Sequence, residues 1–160
     1  MNQSYEESEP WKHGIKLQFL VDWSRQQGFT PTITTREVCE NFIKPATQAT
    51  QLSLCKQLLL SEDTEEFVGF PSAFISHAWN YRFLEVLEAL TSYFSEEEDV
   101  IIWFDIFSNN QHKTASFEFE WWCDTFKNAI LSFGRTVMVL APWNDPLPLK
   151  RGWCIWELYC

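Results

Sequence analysis

Glycine and basic residues are scarce in this sequence, and each scarcity excludes a class of function. The 160 residues include 5 glycines and contain neither a GxGxxG nor a Walker pattern, so nothing supports a Rossmann dehydrogenase or an NTPase. The 12 basic residues face 22 acidic ones, which gives a formal net charge of -10. Because such a charge repels phosphate groups, we expect neither a nucleic-acid nor a membrane partner.

Long apolar runs, a secretory signal and paired cysteines are also missing. No apolar stretch reaches transmembrane length, and residues 1–9 are acidic, so we expect a soluble, cytoplasmic protein. The five cysteines form an odd set without CxxC spacing, which favours reduced core thiols over disulfides or a metal site. The chain is 46% hydrophobic and 17% aromatic, which predicts a folded core.

Helical patterns dominate the N-terminal part, from residue 14 to residue 60. Apolar residues recur at helical spacing from Leu17 onward, and Gly28 is a plausible stop. Thr34 and Glu37 have capping-box spacing, and the helix that they begin should end near Lys44, before Pro45. A third apolar stripe follows in residues 50–60. The charged run 61–66 predicts a boundary, with a helical segment over 1–66 and an α/β domain over 67–160.

Beyond this boundary, short apolar runs alternate with helical patterns. Residues 72–76, 100–104 and 136–140 are predicted strands, and residues 79–94 and 117–133 are predicted helices, with a last helix beginning near residue 149. This alternation is typical of right-handed βαβ units. We therefore expect an α/β fold whose parallel sheet is covered by helices.

Polar side chains follow each predicted strand, where open α/β sheets bind ligands. The candidate binding residues are Ser76, His77, Asp105, Asn109, Asn110 and Trp143. Purely structural roles stay open for several of them, because His77 can simply close its loop and asparagines are ordinary turn residues. Trp143 stands beside Asn144 in a proline-bounded loop, although most tryptophans in so aromatic a chain belong to the core.

The most informative motif is the hexamer 153–158, which reads WCIWEL. Its single carboxylate, Glu157, is either turned to solvent or used in chemistry, because desolvating a carboxylate is costly. Helical spacing predicts that Glu157 shares a face with Trp153 and Cys154. On that prediction the opposite face, with Ile155, Leu158 and Tyr159, packs on the sheet.

These motifs carry a family resemblance. FISH at 74–77, IWFD at 102–105, the strand 136–140 and WCIWEL at 153–158 together resemble a Toll/interleukin receptor (TIR) domain, over residues 72–160. The run 103–112 resembles a TIR-like subgroup often joined to tetratricopeptide or kinesin-light-chain-like repeats. The resemblance implies a flavodoxin-like sheet and homotypic self-association, and it implies that Asp105, Asn109 and Asn110 lie in a loop that gates the site.

The resemblance also implies an activity, because many TIR domains cleave NAD with a glutamate on this helix. Glu157 is then the catalytic residue, Trp153 joins the binding residues, and NAD is a substrate while no cofactor is needed. The alternative is a non-catalytic TIR-like scaffold that acts in signalling through self-association. The candidate partners for the pyrophosphate are Arg82, Lys113, Lys150 and Arg151.

The predicted sheet is shorter than the resemblance implies. A complete flavodoxin-like sheet of this family has five strands, whereas the sequence predicts about three, and the chain stops three residues beyond Glu157. We therefore expect a fragment of a longer protein.

Overall fold

The structure, a computed structural model, describes residues 10–113 and 118–159 and contains a mixed five-stranded sheet with helices around it. The strands are β1 Gly14–Lys16, β2 Val68–Gly69, β3 Ala73–Ser76, β4 Ile101–Trp103 and β5 Thr136–Met138. Their order across the sheet is β2-β1-β4-β3-β5. Strand β3 runs parallel to β4 and β5, while β1 runs antiparallel to β2 and β4.

The three predicted strands form the parallel half of this sheet, so the α/β class is confirmed. The expectation of about three strands, all parallel, is wrong because the region before β3 adds β1 and β2. Strand β1 is three residues long, too short to show an alternating pattern in the sequence. Gly14 allows its close approach to β4, since a Cβ there would lie 2.7 Å from the carbonyl oxygen of Ile102.

Helices connect and cover the strands. They are α1 Leu17–Gln27, α2 Thr35–Val38, α3 Lys44–Thr47, α4 Leu54–Leu58, α5 Phe83–Tyr93, α6 Asp105–Ser108, α7 Phe119–Phe133 and α8 Gly152–Tyr159. A π-helical turn, Cys39–Ile43, joins α2 to α3, and 3-10 turns occur at Pro10–Lys12, Glu65–Phe67 and Leu147–Lys150. None of the helices in the described ranges has the length and apolar character that crossing a membrane requires.

The predicted helix signals are confirmed at α1 and α2, but one predicted helix end is wrong. Gly28 caps α1 in the left-handed conformation, with a φ of 63°. Thr34 and Glu37 form the expected capping box. The helix does not end before Pro45, because the π turn continues it into α3, where the Lys44 amide donates to the Cys39 carbonyl. Pro45 then lies in the first turn of α3, where a missing N–H costs little.

The sheet has a core on each face. On one face a large core joins α1 and α2 to α5 and α6, and it includes Leu20, Val38, Phe83 and Phe104. On the other face α7 covers a smaller core, in which the rings of Phe74 and Trp103 stack with centroids 5.0 Å apart. Residues on both sides of position 66 share the sheet and the large core. The division into segments 1–66 and 67–160 stays a prediction.

Candidate functional site

A cavity of about 360 Å³ opens at the carboxyl ends of β3 and β4. Its walls come from the end of β3 and the loop after it, from α6 and the loop after it, from α7, and from α8 with the residue before it. The lining residues are Ile75, His77, Trp79, Asp105, Asn109, Gln111, Trp122, Phe126, Arg151, Cys154 and Glu157. The volume and the mixture of apolar walls with a few polar groups are typical of small-molecule sites.

Glu157 points into the protein. Its side chain is 5% exposed and lies on the same face of α8 as the buried Cys154, so the interpretation as a solvated helix residue is wrong. The predicted orientation of α8 is also wrong, because Ile155, Leu158 and Tyr159 are 48%, 55% and 89% exposed. The polar face of the helix, and not its apolar face, covers the strand ends.

A hydrogen bond from the end of β3 offsets part of the cost of burying this carboxylate. The hydroxyl of Ser76, itself 1% exposed, donates a hydrogen bond to Oε2 of Glu157. One turn earlier on α8, the Cys154 thiol donates to the His77 carbonyl at 3.9 Å. Burial, then the nearby Glu157 charge, raises the pKa of Cys154, so this thiol stays protonated at neutral pH. Both contacts fix α8 over the cavity and orient the carboxylate.

His77 lies in the same cavity as a neutral group. Its side chain is 5% exposed, and its ring centroid lies 4.4 Å from that of Phe104. Burial, helped by the Arg151 charge, lowers the pKa of His77 to about 3. An imidazole that is neutral at pH 7 offers the ligand hydrogen bonding and no charge.

Asp105 begins helix α6, directly after β4. Its carboxylate accepts a hydrogen bond from the Trp79 indole at 2.6 Å and another from the Ile106 amide at 2.8 Å. Burial raises the pKa of Asp105 to about 6, although both hydrogen bonds oppose this shift. The group is therefore mostly ionised at pH 7 and becomes protonated in mildly acidic solution.

In the loop after α6, the side chains of two neighbouring asparagines lie in different places. Asn109 is 3% exposed and lines the cavity. The side chain of Gln111 holds this loop by donating to the carbonyls of Asp105 and Asn109, at 3.0 Å and 3.2 Å. The side chain of Asn110 instead donates to the Gln51 carbonyl at 2.8 Å, and Asn110 does not line the cavity.

Of the two tryptophans assigned to binding, the structure describes the side chain of Trp143. Trp143 is 87% exposed and is not a lining residue, so its binding role stays a prediction that the cavity does not support. The side chain of Trp153 lies outside the described residues.

Among the four candidate partners for a pyrophosphate, Arg151 is the one that lines the cavity. Arg82 pairs with Glu85 at 2.9 Å, and Lys150 pairs with Asp145 at 2.5 Å. The positive charge of Arg151 also contributes to lowering the pKa of His77, and it opposes the rise in the pKa of Asp105.

Several lining residues were absent from the sequence-based set. Trp79 follows β3 by three residues, and Gln111 lies in the polar segment that follows β4 and α6, so their positions beyond strand ends were an available signal. Trp122 and Phe126 lie on α7, within the predicted helix 117–133. Nothing in the local sequence distinguishes a core position on this helix from a cavity wall.

In comparisons with known proteins, no family model, no curated protein and no solved structure matches the chain. The resemblance to TIR domains therefore rests on its motif residues. Separately from these motifs, the cavity and its buried polar side chains are typical of a ligand-binding site.

Proposed function

We propose that the protein is a TIR-like, cytoplasmic signalling enzyme that cleaves the bond between nicotinamide and ribose in NAD. Glu157 is the essential carboxylate. The observation that carries this proposal is the burial of Glu157 in one cavity with His77, Asp105 and Asn109, at the carboxyl ends of β3 and β4. The finer fold assignment, a flavodoxin-like sheet, belongs to the same proposal.

The buried carboxylate suits the chemistry of this bond. As the bond between nicotinamide N1 and ribose C1′ breaks, nicotinamide leaves with the bonding electron pair and the ribose gains oxocarbenium character. A fixed negative charge stabilises that cation most strongly where water is excluded. Water then adds to C1′ and loses a proton, which gives ADP-ribose. Nicotinamide is already a good leaving group, so a single carboxylate suffices.

In this proposal, other residues that line the cavity contact different parts of the substrate. Trp122 and Phe126 offer flat apolar surfaces to a ring, and Arg151 offers a guanidinium to a phosphate. Ser76 keeps the Glu157 carboxylate in place through its hydrogen bond, so the negative charge is oriented before the substrate arrives.

Nicotinamide release from NAD tests the proposal. Wild-type protein should release nicotinamide, and Glu157→Gln should lower the rate by about 100-fold or more, as expected when one electrostatic contact to a transition state is lost. The amide can still accept the Ser76 hydrogen bond. The matched control is Glu88→Gln, which changes an exposed glutamate on α5 and should keep the wild-type rate. Equal rates for the two variants would refute the proposal.

The exposed apolar residues of the C-terminal part favour a second candidate, a TIR-like scaffold that self-associates. Seven large apolar residues between positions 140 and 159 are exposed: Leu140, Trp143, Leu147, Leu149, Ile155, Leu158 and Tyr159. Exposed apolar clusters commonly mark association sites. Sedimentation that shows a monomer at all concentrations would count against this candidate. Concentration-dependent association that Tyr159→Ser weakens would favour it.

A further inference from the structure

Two buried side chains that line the cavity each carry a polar atom that lacks a partner within the described residues. Within residues 10–113 and 118–159, Nε2 of His77 and Oδ1 of Asn109 make no hydrogen bond. Their side chains are 5% and 3% exposed, and both residues line the cavity. Buried polar atoms are normally paired because an unpaired one lowers stability. The pair therefore points to a ligand that supplies the missing hydrogen bonds.

Neither of these groups carries a charge at neutral pH. The His77 imidazole is kept neutral by burial, so it can donate or accept according to its tautomer, while Oδ1 of Asn109 can only accept. A ligand that satisfies both needs an N–H donor next to a second polar atom. A carboxylate is a poor match because it has no hydrogen to donate to Asn109.

The surrounding walls restrict the rest of the ligand. Ile75 and Phe126 are apolar, and Trp122 adds a second aromatic surface, which suits a flat ring. Gln111 fixes the backbone of Asn109 through its hydrogen bond at 3.2 Å. The amide oxygen of Asn109 is therefore held on an ordered loop.

We propose that His77 and Asn109 bind the primary carboxamide of an aromatic ligand and make the cavity select nicotinamide over nicotinic acid. The carboxamide N–H group donates to Asn109, and its carbonyl accepts from the His77 ring. The inference rests on the proposed function, which supplies the nicotinamide ring, and it adds two specificity-determining residues to that function.

Calorimetric titration of the wild-type protein with three small ligands tests the inference. Nicotinamide and benzamide, which share the carboxamide, should bind at least about tenfold more tightly than nicotinic acid, because the acid leaves Asn109 unpaired. Equal affinity for nicotinamide and nicotinic acid, or no binding of nicotinamide, overturns the inference. This comparison needs no variant, so it does not depend on the folding of an altered chain.

Variants then locate the binding contacts. Asn109→Leu and His77→Phe should each weaken nicotinamide binding by about tenfold or more and reduce the preference over nicotinic acid. The control is Asn128→Leu, which changes an exposed asparagine on α7 and should bind as wild type does. Melting temperatures show which variants are folded. A folded Asn109→Leu protein with wild-type affinity and preference overturns the inference.

The outcome is separable from that of the proposed function. Glu157→Gln retains both proposed carboxamide residues, so it should bind nicotinamide while NAD cleavage is lost. A wild-type protein that prefers nicotinamide but releases none from NAD supports the carboxamide site and refutes catalysis. Release of nicotinamide from NAD without any carboxamide preference refutes the carboxamide site and leaves catalysis in place.

Discussion

Burial shifts the pKa values of two titratable residues that line the cavity with Glu157, and it shifts them in opposite directions. It lowers the pKa of His77 to about 3 and raises that of Asp105 to about 6, because each group resists its charged form. At pH 7 the cavity therefore holds a neutral imidazole and a mostly ionised Asp105. A cationic histidine would repel the positively charged nicotinamide ring of NAD, so the neutral form suits the proposed substrate.

These shifts predict opposite pH dependence for two variants. Below pH 6.5, His77 becomes protonated in the unfolded chain but stays neutral in the folded chain. This difference lowers the free energy of unfolding by about 2 kcal/mol by pH 5. As the pH falls through about 6, Asp105 becomes protonated in the folded chain before it does so in the unfolded chain. This raises the free energy of unfolding by about 1 kcal/mol by pH 5, and the gain is lost again as the pH rises through about 6. Acidification from pH 7 to pH 5 should therefore lower the free energy of unfolding less for His77→Phe than for wild type. It should lower it more for Asp105→Asn than for wild type.

Urea unfolding at pH 7 and at pH 5 measures these differences. The change in unfolding free energy between the two pH values is compared among wild type, His77→Phe and Asp105→Asn, so that contributions from other groups cancel. The same change in all three proteins would contradict the assignment of buried, shifted groups.

At the scale of elements, the sequence predicts long apolar patterns well and short or functional segments poorly. Strands β3, β4 and β5 were predictable because each lies in a short, mostly apolar run of the sequence between turn signals. Strand β1 was not, because three residues carry no period and its pairing depends on partners far along the chain. The prolongation of α2 past Pro45 depends on a π turn, for which no sequence signal is available.

Helix α8 shows how the candidate site was only partly predictable. Glu157 was recognisable as an unusual carboxylate among apolar neighbours, but apolar burial predicted the wrong inner face. The true inner face is set by Ser76, which lies 81 residues earlier and hydrogen-bonds the carboxylate. A buried polar contact of this kind leaves no periodic pattern. The loops after β3 and β4 were predictable as binding loops from the general location of sites in α/β sheets.

At the scale of the whole molecule, the region before β3 is part of the scaffold of the site. Strand β1 pairs with β4, which leads into Asp105. Leu20 and Val38 pack in the same core as Phe104 and Phe107. The carboxyl edge of the sheet is thus supported by residues from both sides of the predicted boundary at residue 66.

This shared core predicts one cooperative unfolding transition. Leu20→Ala on α1 and Leu90→Ala on α5 should each shift that transition, at a cost of about 2–5 kcal/mol, because both leucines are buried. Leu131→Ala, at a position that is 62% exposed, should have little effect. Chemical unfolding followed by circular dichroism and by tryptophan fluorescence provides the measurement. Two separate transitions, with Leu20→Ala affecting only one of them, would show instead that the segments fold independently.

The most direct test of the central claim is the structure of Glu157→Gln in complex with NAD. Without its carboxylate, the protein should hold the uncleaved substrate. We predict that the nicotinamide ring occupies the cavity between α7 and α8 and that the ribose C1′ lies within about 3.5 Å of the residue 157 side chain, a reactive distance. NAD bound elsewhere on the protein, with the cavity filled by water alone, would contradict the account.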